Sequence, residues 1–212
     1  MRYYPVFLDI AGKPVIVIGG GNIAHQKVVG LLKVGAEVTV VSPELNAEMS
    51  SLASEGQFRH IRRDYAPGDL EGYVLAFVAT DDRSVNATVA AEGKERRVWV
   101  NAVDDPPNCD FIMPGIAQQG DLIVAISTSG KSPAMARKMR EEIEAFLTED
   151  YALMLGLAAE VRAELRVKGV LVDSETWNRA LDGELRQLLA DGKRGEAKQR
   201  LLRSLSEPVS AT

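Results

Sequence analysis

Two adjacent carboxylates follow an apolar stretch of the sequence. Residues 98–103 read Val-Trp-Val-Asn-Ala-Val, which is typical of a buried strand, and Asp104 and Asp105 come directly after them. A carboxylate at the end of a strand can accept a proton or stabilise a developing cation during a reaction. The same two residues also suit a turn. Asp105 precedes Pro106, which favours an extended backbone, so we interpret Asp105 as a turn residue.

A glycine-rich loop is the second feature with a chemical use. The pattern Gly19-x-Gly21-x-x-Ala24 follows an apolar run at 14–18 and opens a helical pattern. This is the context of a dinucleotide-binding loop, in which Gly19 allows a tight turn and Gly21 lets the backbone approach a pyrophosphate. The anion then lies on the amides at the helix N-terminus. A glycine turn without a ligand remains the alternative.

The sequence favours NAD over NADP. An acidic residue that binds the ribose is expected about 20 residues beyond the glycine loop. Glu44 lies near that place, although Ser42 and Pro43 separate it from the end of the strand and weaken the match. No arginine stands beside Glu44 in the sequence, so nothing there favours a 2′-phosphate.

A third group of polar residues ends the apolar run at 74–79. Thr80, Asp81 and Asp82 follow this strand, and open α/β sheets bind ligands at the carboxyl ends of their strands. The two acids are also good caps for the helix that begins near Ser84. We favour the capping role for the acids and expect the backbone of Ala79 and Thr80 to border the cofactor.

The segment "STSGKSPAMARKMR" combines hydroxyls, a glycine and cations in an acidic protein. Ser132 and Pro133 begin a helix there, and a helix N-terminus favours anions. This arrangement suits an acidic substrate or a phosphate group, while a capped helix with an ordinary charged face explains it equally well. The candidate substrate-binding residues in this segment are Ser127, Thr128, Lys131 and Arg137.

Strands and helices alternate through the first half, which predicts an α/β fold with a Rossmann-like parallel sheet. Apolar runs indicate strands at 14–18, 37–41, 58–61, 74–79 and 98–103, and helical spacing covers 22–34, 46–55 and 84–96. Two further strands around Gln-Gln-Gly-Asp predict a hairpin, and leucines and alanines at helical spacing follow from Tyr151. We predict three parts: an NAD-binding domain at 1–112, a small α+β segment of a hairpin and a helix at 113–147, and a helical domain at 148–212.

Composition excludes several classes of protein. The net charge of −5 does not favour nucleic acid, and the single Cys109 rules out an internal disulfide or a multi-cysteine metal site. No histidine, cysteine and carboxylate cluster has metal-ligand spacing, so no metal site is predicted. The sequence has no apolar run of about 18 residues and no apolar signal segment near its start. We therefore expect a cytoplasmic protein that does not contact a membrane.

Several segments together resemble the precorrin-2 dehydrogenase family, which includes the dehydrogenase/ferrochelatase module of sirohaem synthase. They are "YYPVFLDIAGKPVIVIGGGNIAHQK", "AFVATDD", "VNAVDDP", "FIMPGI" and "STSGKSPAMAR", in the family's order over roughly residues 1–150. The resemblance implies a homodimer, with the hairpin and its helix crossing between subunits. It also implies oxidation of precorrin-2 to sirohydrochlorin with NAD, in the synthesis of sirohaem.

The resemblance carries over to individual residues. Asp104 matches the family's catalytic aspartate, and we add Asn101 of the same segment as a substrate-binding candidate. Thr128 stands where some members carry a serine that can be phosphorylated, and the change to threonine leaves that modification in doubt. The positions that match residues bordering the cofactor are Asn22, Ile23, Pro43 and Glu44.

The reaction that the resemblance implies needs a group that accepts a proton. Oxidation of precorrin-2 passes a hydride to nicotinamide and releases a pyrrole proton, which Asp104 can accept. Some family members also insert ferrous iron, so a bifunctional dehydrogenase and sirohydrochlorin ferrochelatase is the nearest alternative. An NAD-sensing regulatory module without catalysis is the alternative of another class, and it would need neither Asp104 nor the basic segment.

Overall fold

The computed structural model describes residues 3–206 of the 212-residue chain. These residues form two compact units that divide between Ile112 and Met113. The first unit is a parallel sheet with helices, and the second contains a hairpin and five helices, which confirms the predicted fold class. The division into three domains, with its second boundary after residue 147, stays a prediction.

The first unit has five parallel strands in the order β3-β2-β1-β4-β5. The strands are β1 (Pro14–Ile18), β2 (Glu37–Val41), β3 (Arg59–Ile61), β4 (Leu75–Val78) and β5 (Trp99–Ala102). The helices are α1 (Asn22–Lys33), α2 (Ala47–Ser54) and α3 (Arg83–Arg96). This strand order is that of a Rossmann fold, and the order reverses between β1 and β4.

The strands of this sheet are apolar along their length because helices cover both faces. Val15, Val17 and Phe77 belong to the core on one side, whereas Ile16 and Val78 belong to the core on the other. A strand that is covered on both faces has no polar side to show, which explains the continuous apolar runs in the sequence.

Glu92 anchors the loop that joins β3 to β4. Its buried carboxylate accepts hydrogen bonds from the Tyr65 hydroxyl and from the backbone amides of Gly68 (2.9 Å) and Leu70 (3.2 Å). The Arg96 guanidinium lies 2.7 Å away. Burial by itself raises the pKa of Glu92, but these donors outweigh it and hold the pKa below its ordinary value.

We expect Glu92→Gln to lower the free energy of unfolding by about 2 kcal/mol at neutral pH, because charge-assisted bonds are lost in a buried site. A carboxyl whose folded pKa is lowered stabilises above its unfolded pKa of about 4.3 and loses that contribution as the pH falls through the folded value. The difference between wild type and variant should therefore shrink in acid. Urea unfolding at neutral pH and at a pH well below the unfolded pKa measures it.

Glu95→Gln is the matched control, because Glu95 is exposed on the same helix. We expect it to change stability by less than about 0.5 kcal/mol. A loss for Glu92→Gln that stays constant with pH would contradict the role of the charge.

The second unit begins with the predicted hairpin. Strands β6 (Gly115–Gln119) and β7 (Leu122–Ile126) pair antiparallel around Gly120 and Asp121, and Gly120 has a φ of +58°. Helix α4 (Pro133–Phe146) follows, with Pro133 in its first turn and the Ser132 hydroxyl accepting the Met135 amide at 3.2 Å. The predicted cap of this helix is confirmed.

Four helices complete the second unit: α5 (Glu149–Val167), α6 (Ser174–Ala180), α7 (Gly183–Ala190) and α8 (Arg194–Ser206). Leu157, Leu185 and Leu201 are fully buried in their common core. The sequence pattern does not predict the break between α6 and α7, where Asp182 caps the second helix through the Leu185 amide at 2.9 Å. Among residues 3–206 no helix is long and apolar enough to cross a membrane.

Candidate functional site

The glycine loop lies at the point where the order of the strands reverses. The carbonyl of Val41 accepts the Gly19 amide at 2.9 Å, and the carbonyl of Ile18 accepts the Ala79 amide at 2.8 Å. These bonds join the ends of β1, β2 and β4. Gly19 has a φ of +122°, and a Cβ on it would lie 2.3 Å from the Ala79 carbonyl oxygen. Only glycine fits at this position.

Gly20 and Gly21 differ in what surrounds them. A Cβ on Gly20 would lie 1.9 Å from the Glu44 carbonyl oxygen, so Gly20 is required by packing within the protein. A Cβ on Gly21 would meet no atom within 4 Å. The space beside Gly21 is therefore open, as expected where a pyrophosphate approaches the backbone.

The N-terminus of α1 has no side chain that caps it. Gly21 is the N-cap residue, and the first turn contains no acidic side chain. The neighbouring α2 and α3 are capped by Asn46 and Asp82. The unpaired amides of α1 and the positive end of its dipole thus form a site for an anion. A dinucleotide pyrophosphate fits this site.

A pocket of about 480 Å³ lies on the β2 side of the glycine loop. Pro43 and Glu44 line it, as does Asn46, whose amide donates a hydrogen bond to the Asn22 Oδ1 at 2.9 Å. No arginine neighbours Glu44 in the sequence, but the fold brings Arg62 to one of the residues that line this pocket. The Arg62 Nε donates to the Pro43 carbonyl at 3.4 Å, from a position 19 residues further along the chain.

A cleft of about 270 Å³ lies on the other side of the loop, toward β4 and β5. Its walls are formed by Ile23, Ala79, Thr80, Asp81, Arg83, Asn86, Val103, Asp104 and Asp105. The glycine loop thus has a pocket on each side, which suits the two halves of a dinucleotide. Asp82 caps α3 through the amides of Ser84 (2.8 Å) and Val85 (3.4 Å), so the capping role is confirmed for this acid and not for Asp81.

Asp104 and Asp105 have different environments. The Asp105 amide donates to the Ala102 carbonyl at 3.2 Å, which closes a turn with Asp104 in its third position. Asp104 is exposed and has a φ of +57°, a left-handed conformation that aspartate adopts more easily than most residues. Asp105 is half-buried and accepts the Asn108 amide at 2.8 Å as a single 3-10 turn begins. The turn role of Asp105 is confirmed.

Left-handed backbone at a residue other than glycine is costly and is concentrated at functional sites. The position of Asp104 in the cleft wall therefore favours a role in chemistry. Asn101 does not share this position. Its side chain is buried, and its amide donates to the Phe111 carbonyl at 2.9 Å, which gives Asn101 a structural role. Its contact with substrate stays a prediction.

Lys27 is a residue of this region that sequence patterns miss. It lies on α1 one turn after Ile23, which lines the cleft, and it is half-buried. Burial lowers the pKa of the Lys27 ammonium, and the charge of Asp104 acts in the opposite direction. The two groups are thus close enough to interact electrostatically. No pattern could link them, because they lie in distant parts of the chain.

The predicted substrate-binding residues of the basic segment lie in the second unit. Thr128 is half-buried, and its hydroxyl is 3.1 Å from the Ser132 carbonyl and 3.2 Å from the Ser132 amide. The Ser127 hydroxyl accepts the Ser129 amide at 3.1 Å. Lys131 and Arg137 are exposed and form no ion pair within residues 3–206. These two cations are therefore available to an acidic ligand.

No metal site is evident in the described part of the chain: residues 3–206 contain no group of three or more histidine, cysteine, aspartate or glutamate side chains that could hold a metal ion. The solvent-facing Asp104 and the carboxylates near it lie in the dinucleotide cleft. The fold, the glycine loop and the two pockets thus place the protein in the class of α/β dinucleotide-binding proteins.

Comparisons with known proteins agree with this class. A family described as "Putative NAD(P)-binding" matches residues 6–115, and a family described as "Sirohaem biosynthesis protein central" matches residues 119–145. The first match covers more than half of the chain, so the chain belongs to this NAD(P)-binding family. Together with the second match and the relatives below, it confirms the resemblance to the precorrin-2 dehydrogenase family.

Individual relatives point the same way. The chain is 38% identical over 204 residues to a siroheme synthase of Photobacterium profundum and 36% identical over 209 residues to siroheme synthase 1 of Serratia proteamaculans. These matches cover 95% and 98% of the chain but 44% of each relative, so the chain spans less than half the length of these relatives. A solved structure of SirC, a precorrin-2 dehydrogenase, superposes with a TM-score of 0.76 at 29% identity, covering 95% of this chain and all of that one.

Proposed function

We propose that this chain oxidises precorrin-2 to sirohydrochlorin with NAD as the hydride acceptor, in the synthesis of sirohaem. The observation that carries the proposal is the cleft beside the glycine loop, in whose wall an exposed aspartate is held in a left-handed turn. The names of the siroheme synthase relatives and of the SirC structure support the same reaction.

In this proposal some residues of the first unit bind the cofactor, and one takes part in the reaction. The amides at the start of α1 bind the pyrophosphate, and the β2 side of the loop holds the adenosine half. The cofactor residues are Gly19, Gly21, Asn22, Ile23, Pro43, Glu44 and Thr80. Bound nicotinamide supplies the site that accepts a hydride. Asp104 accepts the pyrrole proton that is lost in the oxidation.

The basic residues of the second unit are proposed to bind the substrate's carboxylates. Precorrin-2 carries several acidic side chains around its rim, and an otherwise acidic protein repels them. Lys131 and Arg137 are exposed and unpaired within residues 3–206, and the hydroxyls of Ser127 and Thr128 lie in the same segment. These four residues form the proposed substrate-binding set.

We also propose that the chain acts as a homodimer through the hairpin and α4. The outer face of the hairpin leaves Ile116 and Ile123 more than 40% exposed, and none of the 14 residues of α4 is fully buried although Met135 and Phe146 are apolar. A two-stranded sheet with an uncovered apolar face has little stability alone. A second copy of the same face would cover these side chains.

Ile123→Lys is expected to shift the protein from dimer to monomer, because it places a charge in the apolar face. The loss of one buried isoleucine and the cost of burying a lysine amount to several kcal/mol of association energy. Analytical ultracentrifugation over a range of concentrations measures the dissociation constant. Leu171→Lys is the matched control, since Leu171 is 97% exposed outside the hairpin. An unchanged dimer in the Ile123 variant would contradict this interface.

NAD is the proposed cofactor because the acidic Glu44 lies in the β2-side pocket. Arg62, which hydrogen-bonds the carbonyl of the pocket residue Pro43, makes the comparison with NADP necessary, because a guanidinium suits a 2′-phosphate. Parallel assays with the two cofactors test the choice, and kcat/KM higher with NADP would overturn it. The cytoplasm, where both cofactors and a reducing environment are found, is the proposed location.

Ferrochelatase activity toward sirohydrochlorin is the second candidate function. Metal insertion also releases pyrrole protons, and the exposed Asp104 carboxylate suits their removal. An assay with sirohydrochlorin and ferrous iron but no dinucleotide separates this activity from the oxidation. Formation of sirohaem above the rate without protein supports it, and the uncatalysed rate rejects it.

A further inference from the structure

Asn86 lies in the wall of the cleft and has a buried acceptor that no group satisfies. The residue is 4% exposed and lies in the second turn of α3. Its Oδ1 atom is buried and has no hydrogen-bond partner within residues 3–206. Buried polar atoms without a partner are rare in folded proteins, so this one needs an explanation.

The hydrogen bond of the Asn86 Nδ2 fixes the orientation of the side-chain amide. The Asn86 Nδ2 donates to the Asp105 Oδ2 at 3.4 Å. A carboxylate accepts hydrogen bonds only, so the amide nitrogen must face Asp105 and the amide oxygen must face away from it. The unsatisfied atom is thus an acceptor, and a group that pairs with it must carry an N–H or O–H.

The position of Asn86 after β4 indicates which part of a dinucleotide could supply this donor. Asn86 follows β4, and the cleft that it lines lies on the opposite side of the glycine loop from Glu44. In a Rossmann fold the adenosine half lies toward β2, so the nicotinamide half lies on the β4 side. The nicotinamide ring carries a carboxamide, whose –NH₂ group is a donor. The three carboxylates in the cleft are acceptors and cannot supply this donor. Thr80 and Arg83 also line the cleft and carry donors, but neither forms a hydrogen bond with the Asn86 Oδ1.

We propose that the Asn86 Oδ1 accepts a hydrogen bond from the carboxamide –NH₂ of the nicotinamide ring. This bond fixes the rotation of the ring in the cleft and therefore selects the ring face that points toward the substrate. The inference rests on the proposed use of a nicotinamide dinucleotide and adds the residue that recognises its reactive end. Asn86 is a positioning residue, because it binds the cofactor away from the carbon that accepts the hydride.

Binding measurements with cofactor analogues test this inference. Asn86→Leu keeps the volume of the side chain and removes the acceptor. The dissociation constant for NAD should rise roughly threefold to tenfold, as expected for one neutral hydrogen bond. The 3-acetylpyridine analogue has a methyl group in place of the –NH₂, so its dissociation constant should not change. ADP-ribose lacks the ring and should also bind unchanged, which shows that the variant is folded.

A structural role through Asp105 is the competing explanation, and Asn108→Ala separates the two. The Asn108 amide also holds Asp105, at 2.8 Å, so its loss disturbs the same turn without touching Asn86. We expect Asn108→Ala to affect NAD and the acetylpyridine analogue equally. Equal weakening of both ligands in Asn86→Leu would overturn the inference, as would equal affinity of the wild type for the two ligands.

The outcomes also distinguish this inference from the proposed function. A wild type that binds NAD with the expected preference but does not oxidise precorrin-2 would reject the function and keep the role of Asn86. If the wild type oxidises precorrin-2 but Asn86→Leu does not selectively lose affinity for NAD, the proposed function is kept and the role of Asn86 is rejected. A wild type that binds neither NAD nor NADP would reject both.

Discussion

Asp104→Asn is expected to lower the turnover of precorrin-2 by about a thousandfold while NAD binds normally, because a positioned general base contributes roughly a hundredfold to ten-thousandfold. Asparagine keeps the size of the side chain and removes its ability to accept a proton. The loss should appear in kcat. The rate of formation of reduced nicotinamide at saturating substrate measures it.

Asparagine is the right replacement because of the backbone. Asp104 has a φ of +57°, and asparagine adopts the left-handed conformation as readily as aspartate does. Alanine at the same place adds roughly 1 kcal/mol of backbone strain, which mixes a loss of stability with a loss of chemistry. The free energy of unfolding of Asp104→Asn should therefore stay within about 0.5 kcal/mol of the wild type.

Asp105→Asn provides the comparison within the same turn. The Asp105 Oδ2 accepts hydrogen bonds from two amides, and an asparagine oxygen in its place can still accept both, without the negative charge that strengthens them. We expect its turnover to fall by less than about tenfold, since only positioning is weakened. Equal loss in the two variants, or near-normal turnover in Asp104→Asn, would contradict the assignment of Asp104.

Gly21→Asp is expected to abolish dinucleotide binding and at the same time to stabilise the fold. Gly21 is the N-cap of α1 and has a β-region backbone, which aspartate adopts without strain. Its new carboxylate would accept the free amides of α1 and add about 1 kcal/mol to the free energy of unfolding. The same carboxylate would occupy and repel the pyrophosphate site, so affinity should fall by at least about a hundredfold.

This prediction is specific because the variant should become more stable while its affinity for the dinucleotide falls. Thermal unfolding without ligand and calorimetric titration with NAD measure the two effects on one sample. Gly20→Ala is the contrasting variant, because its Cβ would lie 1.9 Å from the Glu44 carbonyl oxygen. It should lose stability and binding together. Unchanged affinity for NAD in Gly21→Asp would rule out the glycine loop as the pyrophosphate site.

The sequence is informative where local rules decide the structure. Gly19 and Gly21 follow an apolar run and open a helix, and this pattern predicts both the loop and its place at the edge of the sheet. The caps formed by Asp82 and Ser132 are also confirmed, because a cap depends only on its own helix. Pro106 marks Asp105 as the turn residue, and the family resemblance predicts that Asp104 is the catalytic one.

The sequence does not predict contacts between residues that lie far apart in the chain. Arg62 reaches Pro43 because β3 pairs with β2, and neither residue type predicts the contact. The interaction of Lys27 with Asp104 and the unsatisfied oxygen of Asn86 likewise depend on how α1 and α3 are placed against the sheet. Asn101 is a further case, because the sequence does not predict that its amide donates to the Phe111 carbonyl, and its contact with substrate stays a prediction.

The most direct test of the account is the reaction itself. The protein is incubated with precorrin-2 and NAD without oxygen, and reduced nicotinamide and sirohydrochlorin are measured by absorbance in the same sample. We expect the two products to appear together in equal amounts, at a rate that Asp104→Asn lowers by about a thousandfold. Tight binding of NAD without either product would contradict this expectation and would favour a regulatory module that only senses the cofactor.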